Sequence, residues 1–216
     1  MTLHARPATE ADLAQIADIA AAAFHPDTDA ISRHLFPPHL RPQGALGDEE
    51  DPARSWRLIR KGMKLRAENT VLMVAVDDAL GGKVVGFSLW DTPTDGDEPR
   101  SAVSSQAPSP ALDEAAFAEM HHALDQDVQK HFGQGGIKDV FHLDYIGVDP
   151  QQQRRGIGRM LLDWGLKRAE QQQRSIYLIA TPAGRPLYQA AGFEELGQLN
   201  IFDAPHYSMI RRFGHQ

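Results

Sequence analysis

The sequence predicts a mixed α/β domain in which helices flank one sheet. Short apolar runs of strand length alternate with segments whose apolar residues recur every three or four positions, as in amphipathic helices. The chain has 216 residues, a length at which one domain buries roughly 70% of its unfolded surface. We therefore expect a single domain over residues 1–216.

The N-terminal segment predicts a strand followed by an amphipathic helix. Residues 3–7 form a short run that ends in proline. Thr9 stands at the N-cap position of a helix over residues 10–24. Four prolines then fall within residues 25–50, which predicts a loop with one short helix near 29–36.

A second helix and a hairpin come next. The helix over residues 52–68 is predicted to turn its apolar residues to one face and its basic residues to the other. Its apolar residues are Trp56, Ile59, Met63 and Leu65. Two apolar runs, residues 71–76 and 84–90, then flank the pair Gly81-Gly82 and predict a β-hairpin.

An insertion over about residues 92–137 separates this hairpin from the next strand. Residues 92–109 are rich in Pro, Ser, Asp and Gly and predict a loop. Residues 110–132 have apolar positions four apart and predict a helix. Insertions of this length are more often functional than not.

The C-terminal part alternates strands and helices. The predicted strands cover residues 140–148, 176–180, 193–202 and 206–213, and the predicted helices cover residues 156–171 and 184–191. The strand–helix–strand–helix–strand order is typical of a mixed α/β sheet.

Composition excludes several classes of protein. With 22 Lys and Arg against 29 Asp and Glu, the net charge is −7, which argues against a nucleic-acid partner. The chain has no cysteine, so disulfides, thiolate metal sites and a cysteine nucleophile are excluded. No apolar run reaches the roughly 18 residues that a membrane span needs. We expect a cytoplasmic protein with no membrane or nucleic-acid partner and no bound metal.

The turn after the strand that ends at Val148 carries the clearest chemical signal. Gly156 and Gly158 stand where an amphipathic helix begins, so backbone amides and the helix dipole together favour an anion. Three arginines add positive charge there: Arg154, Arg155 and Arg159. The Gly-Lys-Ser/Thr of a P-loop is absent, and Leu161 replaces the third glycine of the dinucleotide fingerprint.

Two motifs carry a family resemblance. Gln153-Arg-Arg-Gly156-Ile-Gly158 fits the pattern Gln/Arg-x-x-Gly-x-Gly/Ala, and Leu187-Tyr-Gln-Ala-Ala-Gly192-Phe193 follows at the expected interval. Both resemble the GCN5-related N-acetyltransferase (GNAT) superfamily, and the run from Ala180 to Tyr188 looks closer to its fungal members. The resemblance is firm over residues 138–195, loose over 1–91, and does not cover the insertion.

The resemblance implies a fold and a coenzyme. The expected sheet has six to seven strands, a splayed central strand pair and flanking helices, with a helical insertion added. Acetyl-CoA would pair its pantetheine arm with the exposed strand edge, as an added peptide strand does. The residues expected to bind it are Ile146, Gly147, Val148, Gln153, Arg154, Arg155, Gly156, Ile157, Gly158, Arg159 and Tyr188.

The resemblance also implies catalytic residues. Tyr188 occupies the family position of the general acid that protonates the departing thiolate. His142 falls at the position of a glutamate base in the histone-acetyltransferase branch, and Asp144 is an alternative base two residues on along the same strand face. A chain of waters would serve equally well. Many relatives carry an asparagine where this chain has Thr181. The resemblance therefore does not extend to the hydrogen bond between that asparagine and the coenzyme.

The implied activity is N-acetyl transfer to a primary amine of a small molecule, by direct attack through a tetrahedral intermediate. A protein or peptide acceptor and a non-catalytic acyl-CoA-binding domain remain alternatives, and the chain is expected to be a monomer or homodimer. An acidic run near the insertion is a candidate for attracting a cationic amine, and a set of aromatic residues is a candidate acceptor pocket. The acidic residues are Asp91, Asp95, Asp97 and Glu98, and the aromatic residues are Phe24, Phe36, Trp56 and Trp90.

Overall fold

A seven-stranded sheet in the order β1-β2-β3-β4-β5-β7-β6 organises the chain in a computed structural model that describes residues 3–40, 52–94 and 109–213. The strands are β1 (Leu3–Pro7), β2 (Thr70–Asp77), β3 (Lys83–Asp91), β4 (Phe141–Val148), β5 (Ile176–Ala180), β6 (Glu194–Ile201) and β7 (Ala204–Arg211). The helices are α1 (Leu13–Ala23), α2 (Ala30–Leu35), α3 (Pro52–Leu65), α4 (Glu114–Phe132), α5 (Ile157–Gln172) and α6 (Arg185–Ala190).

The predicted elements are confirmed to within about one helical turn at their ends. The hairpin forms around Gly81-Gly82, and the insertion contributes α4. The first helix begins with a 3₁₀ turn over Glu10–Asp12, where Thr9 is the N-cap as predicted and forms a capping box with Asp12. Within the described residues, no helix combines the length and the apolar character needed to cross a membrane.

Strands β4 and β5 diverge at the centre of the sheet. They pair in parallel only between Phe141–Leu143 and Ile176–Leu178. Strand β4 then continues to Val148 along β3, so its second half has no β5 partner. The predicted splay of the central pair is confirmed, and it leaves one edge of β4 from Asp144 onward unpaired by β5.

A bulge at Asp144 changes which side chains of β4 face each side of the sheet. Leu143 pairs with Trp90, and Tyr145 pairs with the adjacent Leu89, so Asp144 has no direct partner on β3. As a result Leu143 and Ile146 pack into the same core cluster, although a regular strand would point them to opposite faces.

Two core clusters sandwich the sheet. One fills the space between the sheet and α5, and the other fills the space between the sheet and α1. Trp90 belongs to the first cluster and is fully buried, with its ring so close to Gly165 that a Cβ there would lie 2.2 Å from it. The expectation that Trp90 lines an acceptor pocket is therefore wrong, because this ring serves to pack α5 on the sheet.

The predicted orientation of α3 is also wrong. Ile59, placed on the apolar face by hydropathy, is 48% exposed, whereas Arg57 and Lys61 are buried. Trp56 packs with α2 and α4 in a third cluster, and the cations beside it turn inward. Hydropathy alone misassigned this helix, since buried cations here find aromatic rings, carboxylates and polar oxygens as neighbours.

Candidate active site

The glycine-containing turn before α5 has the backbone of an anion cradle. Arg154 has φ 65° and Gly156 has φ 80°, both left-handed conformations that turn successive amides the same way. A Cβ built on Gly156 would meet nothing within 4 Å, so the space above it is open. The first-turn amides of α5 add their unpaired N–H groups and the positive end of the helix dipole. These residues fit a diphosphate.

The three arginines of this turn differ in what they contact. Arg155 donates to the carboxylate of Asp77 over 2.7 Å, and this hydrogen bond lowers the pKa of Asp77 below its usual value. Asp77 is only 1% exposed, so the pair fastens the turn to the end of β2. Arg159 pairs with Asp163 over 2.7 Å along α5. Arg154 is exposed and makes no ion pair with any residue the structure describes.

Residues Ile146–Val148, which were expected to bind the coenzyme, lie where β4 has separated from β5 and just before the glycine-containing turn. The absence of a side chain at Gly147 has a packing reason. A Cβ on Gly147 would lie 2.7 Å from the ring of Phe87, so the glycine makes room for that core residue. A Cβ on Gly158 would make ordinary contacts with Leu187 and Val148.

A cavity of about 240 Å³ opens where β4 and β5 separate. One wall comes from α2 and α3, another from α4, and the floor from β4 and the β5–α6 connection. The predicted site residues that line it are His142, Asp144, Ile146 and Tyr188, together with Thr181. Phe24, Phe36 and Trp56 line it as predicted. Of the acidic run, Asp91 lies within the residues that the structure describes, and Asp95, Asp97 and Glu98 lie outside them.

The carboxylate of Asp91 holds His142 in place, a pairing that was not predicted from the sequence. Asp91 is its direct partner across β3 and β4, and Nδ1 of His142 lies 3.0 Å from Oδ2 of Asp91. The imidazole also stacks on the ring of Tyr177 at 5.7 Å. With Nδ1 engaged, Nε2 is the ring nitrogen left to exchange a proton with a molecule in the cavity.

Lys64 connects the acidic residues of this site. Its Nζ donates to Oδ1 of Asp91 over 3.1 Å and lies 3.8 Å from Asp144. Burial alone would raise the pKa of Asp91, but the hydrogen bond from His142 and the nearby charges outweigh it and hold the pKa well below its usual value. Asp91 therefore stays ionised as the partner of His142.

Tyr188 reaches the cavity from α6 on the other side of the opening. Its ring is 5% exposed and packs edge-on against Phe193. Burial raises the pKa of Tyr188 above its usual value, so the phenol keeps its proton at neutral pH. The ring also lies close to Gly184, where a Cβ would come within 3.2 Å of it.

Helix α3 lines the opposite wall with cations. Lys61 is 5% exposed, and its Nζ lies 3.6 Å from the centre of the Tyr145 ring. Burial lowers the pKa of Lys61 to about 7, against the opposing attraction of Asp144. Arg57 and Arg60 line the cavity itself. The i, i+3, i+4, i+7 spacing of Arg57, Arg60, Lys61 and Lys64 was visible in the sequence and indicates one helix face.

Comparison with known proteins identifies the fold. An acetyltransferase (GNAT) domain model matches residues 97–205, half of the chain. A protein described as an acetyltransferase from the fungus Stachybotrys chartarum is 28% identical over 207 residues, which cover 92% of this chain and 83% of that protein.

Solved structures share the whole architecture. One is described as a histone acetyltransferase HPA2 and related acetyltransferase from Corynebacterium glutamicum, with 21% identity, coverage of 100% of this chain and 99% of that chain, and a TM-score of 0.61. Another is the Drosophila melanogaster polyamine N-acetyltransferase, with 16% identity, coverage of 98% of this chain and 100% of that chain, and a TM-score of 0.63. At these identities the likeness establishes the fold.

Proposed function

The chain belongs to the GNAT acetyltransferase family and acts with acetyl-CoA, and from this premise we propose that it transfers the acetyl group to a primary amine of a small molecule. The observation that carries the proposal is the position of the cavity. It opens beside the free edge of β4, and His142, Asp144 and Tyr188 all line it. A proton acceptor and a proton donor thus stand on two sides of one enclosed space.

Coenzyme binding is assigned to the turn and the strand edge. Backbone amides from Arg154 to Arg159 hold the diphosphate, and the edge of β4 at Ile146, Gly147 and Val148 pairs with the pantetheine arm. Gln153 and Ile157 complete the turn. The exposed Arg154 is the arginine best placed to add charge to a phosphate, since Arg155 and Arg159 already contact carboxylates.

His142 is the proposed base. An alkyl amine must lose a proton before it attacks, which costs about 4.6 kcal/mol at pH 7 for an amine of pKa near 10.4. Nε2 of His142 accepts that proton, and Asp91 holds the ring and stabilises the positive charge that forms on it. Asp144 lies beside this site and attracts the ammonium group before it deprotonates.

Tyr188 is the proposed acid. The thioester supplies an activated acetyl carbon and a thiolate leaving group, and backbone amides on the unpaired edge of β4 stabilise the oxyanion. Tyr188 gives its phenolic proton to the departing sulfur. Burial keeps the phenol protonated at neutral pH, so the proton is in place when the sulfur departs.

The size of the cavity favours a small acceptor. Its volume of about 240 Å³ lies below the roughly 300–1,000 Å³ typical of sites for drug-sized ligands. Helix α4 of the insertion closes one wall with Met120, His121 and Leu124. A peptide acceptor needs an open channel across the sheet, which this wall obstructs.

The test is release of free coenzyme A from acetyl-CoA with a panel of small amines, compared with lysine-containing peptides. We expect turnover with at least one small amine and none above background with the peptides. Saturable acetyl-CoA binding without turnover on any acceptor would instead identify a non-catalytic acyl-CoA-binding domain. Turnover confined to peptides would overturn the small-molecule assignment.

A further inference from the structure

The inward face of α3 is unusually basic for a wall that packs against the core of an acidic protein. Arg57, Arg60, Lys61 and Lys64 share this face, and Arg57 and Lys61 are buried. Charged groups are expensive to remove from water unless they are paired or bind a ligand. These four cations therefore need anions or other polar partners to offset their charge.

Three of the four cations contact other groups of the protein. Lys64 is paired with Asp91 and lies near Asp144. Arg57 donates to Oγ of Ser32 over 2.7 Å and to the carbonyl of Phe24 over 3.2 Å. Lys61 lies against the face of Tyr145.

Arg60 differs from the other three. Its guanidinium lies 4.6 Å from the centre of the Trp56 ring and 5.5 Å from that of Phe117. Among the residues that the structure describes, no carboxylate lies within ion-pair distance of it. Asp29 also lines the cavity, but its Oδ2 accepts from the backbone amide of Ser32 as the cap of α2. The two aromatic rings hold Arg60 in the cavity wall, where its charge has no carboxylate partner in the described part of the chain.

We propose that the acceptor is an amine that also carries a carboxylate, which Arg60 binds with help from Arg57 while the amine lies at His142 and Asp144. This inference rests on the proposed transfer to a small amine. A guanidinium fork matches a carboxylate with two parallel hydrogen bonds, and stacking on Trp56 restricts the fork before the ligand arrives. The opposite charges of the acceptor's carboxylate and amine then fix its orientation in the cavity.

The same charges discriminate against polyamines. A second ammonium group would meet Arg60 and Arg57 in the wall of the same cavity, and like charges in a water-poor site repel strongly. Leu35, Phe36 and Leu124 add apolar surface to the lining of the cavity, which suits an apolar side chain on the acceptor. An amino acid with an apolar side chain fits this combination.

The test compares amines that differ only in the carboxylate. The probes are L-phenylalanine against 2-phenylethylamine, and L-leucine against 3-methylbutylamine, each assayed with the full chain and acetyl-CoA. We expect kcat/KM for the amino acid to exceed that of its decarboxylated partner at least tenfold in at least one pair. Equal or better turnover of the decarboxylated amine in both pairs would overturn the inference and leave the proposed function standing.

Variants locate the effect at Arg60. Arg60→Gln should lower the ratio of the two kcat/KM values at least tenfold, and Arg60→Lys should retain more of that ratio because it keeps the charge. The control is Arg66→Gln, an exposed arginine near the same helix that pairs with Glu10. An unchanged ratio in Arg60→Gln would contradict the assignment.

A binding measurement separates this inference from the proposed function. Calorimetric titration with 3-phenylpropionate, which has the carboxylate and lacks the amine, should show binding to the wild-type chain that Arg60→Gln weakens at least tenfold. Binding of this kind without transfer to any amine would refute the proposed function and keep the anion site. Transfer to amines without any carboxylate binding would refute the anion site alone.

Discussion

Nδ1 of His142 lies 3.0 Å from Oδ2 of Asp91, its direct partner across β3 and β4. The bulge at Asp144 begins at the next residue pair along the same ladder. The strand register therefore places the carboxylate of Asp91 against the imidazole of His142, and His142 and Asp144 both line the cavity. The pair gives His142 one engaged nitrogen and one that is available to a substrate.

Replacement of His142 tests its role as base. His142→Gln should lower kcat/KM for the amine roughly 10²-fold at pH 7, because glutamine cannot accept the proton. Acetyl-CoA affinity should stay unchanged, since His142 lies away from the coenzyme turn. Initial rates of coenzyme A release measure the first quantity, and titration calorimetry measures the second.

His122→Gln is the matched control, since His122 is exposed on α4, does not line the cavity and hydrogen-bonds to Gln126. It should keep wild-type rates. A His142→Gln variant that retains the full rate would assign the proton transfer to water or to Asp144 instead.

Tyr188→Phe separates the phenolic proton from the packing of the ring. The variant should lose roughly 10²-fold in kcat, because only the general acid is removed. Its free energy of unfolding should change by less than about 1 kcal/mol, since the ring still packs on Phe193. Because burial raises the pKa of Tyr188, the wild-type rate should also show no loss from its ionisation up to pH 10.

Tyr207→Phe serves as the control, because Tyr207 lies on β7 under Arg185 and outside the cavity lining. Comparable kcat values for the two phenylalanine variants would mean that Tyr188 is a packing residue.

The two glycines of the coenzyme turn should respond differently to alanine. Gly156→Ala forces a side chain into the left-handed region and should destabilise the fold by about 1 kcal/mol. We expect it to weaken coenzyme A binding about tenfold, because the amides of the cradle depend on that conformation. Gly158→Ala should bind coenzyme A nearly as tightly as the wild type, since its Cβ would lie 3.4 Å from Leu187. Equal affinities in titration calorimetry would show that the conformation of Gly156 is irrelevant to binding.

Lys61 should make stability depend on pH in the alkaline range. Its pKa is about 7 when folded and about 10.4 when unfolded, so the unfolded chain holds one more proton between these values. Wild-type stability therefore rises with pH across this window. Lys61→Met removes the buried charge and should stabilise the protein by about 2 kcal/mol at pH 7, with the advantage shrinking toward pH 10.

Urea unfolding at pH 7 and pH 9.5 measures this difference, and Lys167→Met, on the exposed face of α5, controls for the loss of a surface lysine. If the advantage of Lys61→Met is the same at both values of pH, Lys61 keeps an ordinary pKa in the folded state.

Local patterns in the sequence were sufficient for the order of elements and for the glycine-containing turn at the start of α5. The glycines at 156 and 158, the strand before them and the amphipathic helix after them are contiguous, so their geometry follows from local rules. The partner of His142 was not predictable in this way, because Asp91 lies 51 residues earlier and meets it only through strand register.

The acceptor side was harder to predict because tertiary context overrides hydropathy there. Ile59 was expected inside and is exposed, while Lys61 was expected outside and is buried. The inward turn of α3 depends on Asp91, Asp144 and Tyr145, which come from other strands. The burial of a charged residue beside a site depends on partners from other segments, so the residue's own segment does not predict it.

A crystal structure of the chain with coenzyme A tests the central claim most directly, namely that coenzyme and acceptor meet where β4 separates from β5. We predict that the diphosphate lies within roughly 3 Å of backbone amides between Arg154 and Arg159, with the pantetheine along the free edge of β4 and its sulfur near Tyr188. A coenzyme bound away from this turn, or with its sulfur remote from the cavity that His142 and Tyr188 line, would contradict the account.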